Sequence, residues 1–148
     1  MKSHVRRLVA VLLAVGSCVP ALCAESKSHL TMRVPFAFQF GAQRFAPGTC
    51  RIYDVTPYVL QLKCGSSLGT AMVRDDIDFR TVRPGYALFR KYGDRYFLVE
   101  IRPSNSTARV RIYESGWEKQ AARELEAERR SPTLVKLALI EARAVANR

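Results

Sequence analysis

The chain has 148 residues, with 24 Lys or Arg against 13 Asp or Glu, so its formal net charge at pH 7 is +11. The length suits one domain with an export signal, and an apolar fraction of 48% is enough for a hydrophobic core. No apolar run reaches the roughly 20 residues of a membrane-spanning helix, which excludes helical membrane proteins. No Gly-rich phosphate-binding loop is present, which excludes P-loop nucleotide hydrolases.

The N-terminal segment, residues 1–24, has the layout of a secretory signal peptide. Three basic residues precede an uncharged apolar run, and small residues end the segment at Ala24. The sequence therefore predicts export to the periplasm or the extracellular space, which is an oxidising environment. Removing the three basic residues from the 24 leaves 21 against 13 acidic ones, so residues 25–148 form one domain with a net charge of +8.

Cys18 offers a second way to process this segment. Val15-Gly16-Ser17-Cys18 resembles a bacterial lipobox, in which a cysteine receives diacylglycerol and becomes the new N-terminus. Val15 and Gly16 replace the usual Leu and Ala of that motif. Free export is therefore favoured, with Cys18 as an ordinary apolar signal residue, and a lipid-anchored protein is the alternative.

The positive charge indicates anionic partners. Nucleic acid would be the first candidate for a basic cytosolic protein, but export excludes it. The basic residues are scattered, and in the exported domain only Arg90-Lys91 and Arg129-Arg130 are adjacent. We therefore expect a broad basic surface that favours anionic envelope lipids, acidic polysaccharide or other surface proteins over one dedicated site.

The first half of the domain predicts antiparallel strands. Apolar residues alternate from Met32 to Phe40, which is typical of a half-buried strand. Pro35 lacks an amide donor, so it either places this strand at a sheet edge or marks its start. A turn at Gly41-Ala42 then leads into a short extension, residues 43–45.

Two cysteines lie opposite each other in the next predicted hairpin. Residues 49–54 and 59–64 pair around Pro57, which places Cys50 opposite Cys64 on the apolar face. In an oxidising compartment this arrangement indicates a structural disulfide. Two buried thiols are the alternative, and a metal site would need further ligands.

Three acidic residues follow the next predicted strand, residues 68–73. Asp75, Asp76 and Asp78 begin a polar loop that runs to residue 85. Paired carboxylates can serve a hydrolase, and clustered ones can hold Ca²⁺, but EF-hand spacing is missing here. Arginines surround the three residues, which favours a solvated surface loop.

The clearest hairpin comprises residues 86–92 and 95–102. Gly93-Asp94 between two apolar runs suits a two-residue type II′ turn. The pairing sets Lys91 opposite Tyr96, where a cation–π contact can form. Aromatic residues at strand spacing could bind carbohydrate, but core packing is the favoured interpretation.

The pattern changes to that of an amphipathic helix at about residues 115–130. The segment Ser115-Gly116-Trp117-Glu118 has the form of a capping box, with Ser115 as N-cap and Glu118 reaching back to it. Trp117, Ala121 and Leu125 form the expected apolar stripe.

Catalytic machinery is not indicated by any motif. His29 is the one histidine left after processing, and it falls in an expected frayed lead-in, residues 25–30, where it is poorly placed as a base. The sequence therefore predicts a non-enzymatic protein with no catalytic residues, no metal and no cofactor.

Three motifs carry a resemblance to a known family. Val34-Pro35-Phe36-x-Phe38, Ala46-Pro47-Gly48 and the hairpin of residues 89–98 resemble those of small exported β proteins found in many copies in certain soil bacteria. That family has no assigned activity and lends no catalytic residues. Its members commonly end in a short apolar strand, which favours a strand over a helix for residues 133–140.

Together these patterns predict a mainly β domain, a small antiparallel barrel or sandwich with one C-terminal amphipathic helix. The favoured function is a structural or binding module of the envelope or secreted space. A carrier that holds a lipid or other apolar molecule between sheet and helix is the first alternative. An envelope lipoprotein scaffold and a hydrolase built on the three aspartates are weaker ones.

Overall fold

Alternating burial along the chain builds ten strands and one helix in residues 29–141, the part that the computed structural model describes. The predicted signal peptide and Cys18 lie outside the described residues. The elements are β1 (Leu30–Val34), β2 (Phe38–Phe40), β3 (Gln43–Phe45), β4 (Gly48–Thr56), β5 (Val59–Cys64), β6 (Ser67–Ile77), β7 (Tyr86–Tyr92), β8 (Arg95–Arg102), β9 (Ala108–Ile112), α1 (Gly116–Ala127) and β10 (Thr133–Glu141).

Eight of these strands close into an antiparallel barrel. The order around the ring is β8–β7–β10–β1–β4–β5–β6–β9, and β9 pairs with β8 to complete it. The mainly β fold with one helix is therefore confirmed, as a barrel and not a sandwich. The last predicted strand is confirmed too: β10 pairs with both β7 and β1 and so joins the two halves of the ring.

The single strand expected from Met32 to Phe40 is two strands. β1 ends at Val34 because Pro35 has no amide to donate to the ladder, and β2 begins after a bend. The expected sheet edge is also wrong, since β1 lies between β10 and β4. The alternation survives the break, because Phe38 and Phe40 are both buried.

The hairpin of β2 and β3 fills one end of the barrel. β9 reaches β8 only at Glu100 and Ile101, so the first half of β8 pairs with β2 instead, at Gln39 and Phe97. Beside this contact the core is aromatic, with ring centroids 3.9–5.4 Å apart in the interacting pairs. We call this the aromatic end, which consists of Phe36, Phe38, Phe45, Phe89 and Tyr96.

The hairpin of β4 and β5 has the predicted register. Cys50 pairs with Cys64 and Ile52 with Leu62, and the ladder slips only near the turn. The sulfur atoms of Cys50 and Cys64 lie at disulfide distance, as the sequence predicts. Cys50 is fully buried, so the crosslink forms part of the core at the same end of the barrel as the aromatic cluster.

The helix packs on the outside of β7 and β8. Ala121 and Leu125 contact a patch of outward-facing residues that includes Tyr92, Phe97 and Val99. The expected position of Trp117 on this stripe is wrong, because its side chain is 56% exposed.

The acid that the sequence predicted to cap the helix, Glu118, is buried. Ser115 caps the helix and accepts a bond from the amide of Glu118, as predicted. The Glu118 carboxylate does not reach back; it accepts from Tyr92 (3.1 Å) and Arg90 (3.0 Å) and is 3% exposed. This bond fixes α1 to β7.

The helix ends earlier than predicted, at Ala127. Arg129 adopts a left-handed backbone conformation, and the amide of Arg130 donates to the carbonyl of Leu125. The amide of Arg129 donates to the carbonyl of Glu126, which completes a Schellman motif.

Candidate functional site: the open end of the barrel

The end of the barrel opposite the aromatic cluster is not filled. A cavity of about 560 Å³ opens there between the first residues of β1, β5 and β9 and the last residues of β4, β6 and β8. We call this region the open end. Its lining residues are Leu30, Ile52, Tyr53, Asp54, Val55, Thr56, Pro57, Leu60, Val73, Asp75, Ile101, Pro103, Ala108 and Val110.

The two-residue period of the strands places two acids in this cavity. On β4 the buried Ile52 is followed by Asp54, and on β6 the buried Val73 is followed by Asp75. Each acid occupies the next inward-facing position beyond the core. The open end therefore has an apolar floor and two carboxylates nearer its rim.

Neither carboxylate is paired with a basic side chain in the described part of the chain. Among the described residues no ion pair or hydrogen bond reaches the side chain of Asp54 or Asp75, and no Lys or Arg lines the cavity. Partial burial raises the pKa of Asp75, and the negative charges of Asp54 and Asp76 raise it further. The charge of the cavity is therefore uncompensated and acidic.

The three aspartates that could have formed a hydrolase site are separated. The expected loop begins later than predicted, at Asp78, because β6 continues to Ile77 and pairs with β9. Asp76 faces outward, where it pairs with Arg74 (3.3 Å) and Arg111 (3.2 Å). Only Asp75 lines the cavity.

Asp78 belongs to a polar network on the outer surface, which the sequence did not predict. Arg102 is 3% exposed and donates to Asp78 (2.6 Å), which lowers the pKa of that acid. The buried Glu100 accepts from Arg109 (2.8 Å) and from the hydroxyl of Tyr86 (3.3 Å). These partners are far apart in sequence, and only the strand order brings them together.

His29 lies just before β1. Its ring is 5.8 Å from that of Tyr53, which lines the cavity. His29 therefore sits near the open end and packs against an aromatic ring.

Between the helix and the sheet, Leu125 and Ala121 pack against Phe97 and Val99. A cavity of about 330 Å³ lies beside this contact at the β7–β8 turn, and the expected ligand between sheet and helix stays a prediction. The aromatic residues of the second hairpin are mostly core, as predicted, and the Lys91 ammonium lies 5.3 Å from the centroid of the Tyr96 ring.

A basic patch lies on the outer face of β1, β4 and β5. Arg51 and Lys63 are directly opposite each other, and Arg33 is diagonal to Arg51. All three are exposed, and none forms an ion pair with a residue in the part of the chain described. Like charges in opposite positions destabilise a sheet unless something compensates them.

No family model matches the chain, and no curated protein or solved structure matches it. The resemblance to exported β proteins of soil bacteria stays a prediction.

Residues 29–141 contain neither a metal-binding cluster nor a membrane-spanning helix. They contain no group of three or more His, Cys, Asp or Glu residues arranged to hold a metal ion. The helix α1, at 12 residues, is too short and too polar to cross a membrane, and no other helix is described.

Proposed function

We propose that the protein is a non-enzymatic binding module of the exported space, which holds a small apolar molecule in the open end of its barrel. The cavity carries this proposal. Its volume of about 560 Å³ falls inside the ~300–1,000 Å³ typical of small-molecule sites. An eight-stranded barrel has an interior just wide enough for side chains or for one small ligand.

The open end has more free space than the aromatic end, where the cavity beside Phe38 and Tyr96 has about 250 Å³. The aromatic end is packed by Phe38, Phe45 and Phe89, so the same barrel contains residues that fill its interior where filling is needed. The floor of the cavity is formed by Leu60, Val73 and other apolar side chains. A ligand that covers this floor removes apolar surface from water, and this burial favours binding.

The disulfide supports the exported location in this proposal. Crosslinked cysteines persist in oxidising compartments and are rare in the cytosol. Cys50 and Cys64 lie at disulfide distance in adjacent strands. The mass of the protein isolated from its native envelope tests this: a chain that starts at Glu25 is a free exported domain, and an acylated chain that starts at Cys18 is a lipoprotein.

A matched pair of variants tests ligand binding. N-phenyl-1-naphthylamine, a neutral apolar dye that fluoresces in dry sites, is the probe. Ala108→Phe adds a ring inside the cavity, and Thr70→Phe adds the same ring on the exposed outer face of β6. We expect Ala108→Phe to weaken dye binding at least about tenfold, or ~1.4 kcal/mol, and Thr70→Phe to leave it unchanged. Equal binding by both variants, or no binding by the wild type, contradicts the proposal.

The basic patch favours a second function, the binding of an anionic polymer such as an acidic polysaccharide. Arg33, Arg51 and Lys63 combine their charge without an acid between them. Replacement of all three by Gln should abolish retention on immobilised polygalacturonate at low salt, and added salt should release the wild type. Retention of the triple variant equal to that of the wild type would remove this candidate.

A further inference from the structure

The open end contains two carboxylates that no residue in the described part of the chain neutralises. Asp54 and Asp75 line one cavity from β4 and β6, and the negative charge of Asp54 is close enough to raise the pKa of Asp75. Two carboxylates that repel each other destabilise the free barrel when both are ionised.

Unpaired acids are a minority among the described residues, although Asp94 and Glu126 on the outer surface are also unpaired. Basic residues outnumber acidic ones by 24 to 13, and most acids on the described surface have a basic partner. Asp76, one residue from Asp75, contacts two arginines on the outer face, yet the inner face has none. The geometry fits a cation that residues 29–141 do not supply.

The walls of the cavity restrict what kind of cation this is. Below the carboxylates lie Leu60, Val73, Ile101 and Val110, whose surfaces are apolar. A hydrated inorganic ion would meet the two acids but would leave these walls in contact with water. A molecule with a cationic head and an apolar tail satisfies both parts, with its tail on the floor and its head at the rim.

We propose that the ligand of the open end is an apolar amine, a molecule whose protonated nitrogen pairs with Asp54 and Asp75 while its hydrocarbon part covers the floor. This assignment rests on the proposed function, because it names the ligand class of the same cavity. The partly closed site strengthens the ion pair relative to one in bulk water. It also discriminates against anionic amphiphiles of the same length, since two carboxylates repel them.

Three probes of equal chain length test this assignment: n-octylamine, 1-octanol and octanoate at pH 7, each displacing N-phenyl-1-naphthylamine. In the wild type we expect octylamine to compete at least tenfold better than octanol, and octanoate to compete worst. In the variant Asp54→Asn/Asp75→Asn, octylamine should fall to the level of octanol, while octanol itself is unchanged.

A control variant separates the cavity charge from the net charge. Asp94→Asn/Glu126→Gln removes two acids that lie outside the cavity and form no ion pair with any described residue. It should keep the wild-type preference for octylamine. Octylamine no better than octanol, or a preference that survives in Asp54→Asn/Asp75→Asn, would overturn the assignment while leaving the apolar site intact. Failure of the dye to bind the wild type would instead overturn the proposed function.

Discussion

The two ends of the barrel are built from the same strands and differ in what their inward positions contain. At the aromatic end these positions hold Phe and Tyr rings, and the β2–β3 hairpin covers the gap that the short β9 leaves. At the open end the last inward positions hold Asp54 and Asp75, and space remains. One end is thus packed as hydrophobic core, and the other retains open space.

The comparison indicates that an unfilled end is a candidate binding site when the other end of the same barrel is packed with side chains. A barrel of eight strands has little interior space, so a change of a few inward residues decides whether an end is core or pocket. The two ends also differ in charge, since the inward positions hold aromatic rings at one end and the two aspartates at the other. Variants at each end should therefore have opposite effects on stability and on binding.

The largest effect is expected at the aromatic end, from Phe45→Ala. Phe45 is buried against Phe38 and lies over Gly69, where a Cβ would be 2.8 Å from its ring. Because Gly69 has no side chain to fill the space, truncation should lower the free energy of unfolding by about 3–5 kcal/mol. Urea denaturation followed by tryptophan fluorescence or circular dichroism measures it.

Tyr58→Ala is the control for that substitution. Tyr58 lies in the turn between β4 and β5, near the open end, and is 70% exposed. Its truncation should change the free energy of unfolding by less than about 0.5 kcal/mol. Comparable losses in the two variants would show that the aromatic end is not the stabilising region that its packing indicates.

A smaller decrease in the free energy of unfolding is expected when the disulfide is removed, in the variant Cys50→Ala/Cys64→Ala. The cysteines are 14 residues apart in sequence, so the closed loop is short, and loss of the bond should cost about 2–3 kcal/mol. Thermal denaturation with and without reductant measures this cost. Reductant should destabilise the wild type and leave the variant unchanged; a wild type that is indifferent to reductant would contradict a closed disulfide.

Local pairing explains what the sequence could predict. The two hairpins follow from a period of two on either side of a turn, so the Cys50–Cys64 and Lys91–Tyr96 pairs could be read from residues close in sequence. The N-cap at Ser115 is local in the same way. A capping-box pattern cannot show whether the Glu118 carboxylate bonds to the N-cap or to another element. Its partners Arg90 and Tyr92 lie on β7, far from it in sequence.

Distant pairing explains what was missed. The segment of Asp75 and Asp76 has the composition of a loop, and it becomes strand only because β9, some 35 residues later, supplies the ladder and Arg111. The open end depends on which strand ends meet around the ring. A period of two places Asp54 on the same face of its hairpin as Cys50, but nothing local indicates that Asp75 lines the same cavity.

The smallest effect, and the one that bears most directly on the two ends, is a gain of stability from Asp75→Asn. Burial and the neighbouring acids raise the pKa of Asp75 in the folded state, so the folded protein holds this proton more tightly than the unfolded chain does. Stability is therefore lost as pH rises from the unfolded value, about 3.9, through the folded one. Asn cannot ionise, so at pH 7 the variant should be more stable than the wild type by a few tenths of a kcal/mol, because solvent screens an exposed group. At pH 3 the two proteins should differ least. Urea titrations at both pH values measure this difference, and a variant less stable than the wild type at pH 7 would show that Asp75 contributes to the fold and is not held in place for a ligand.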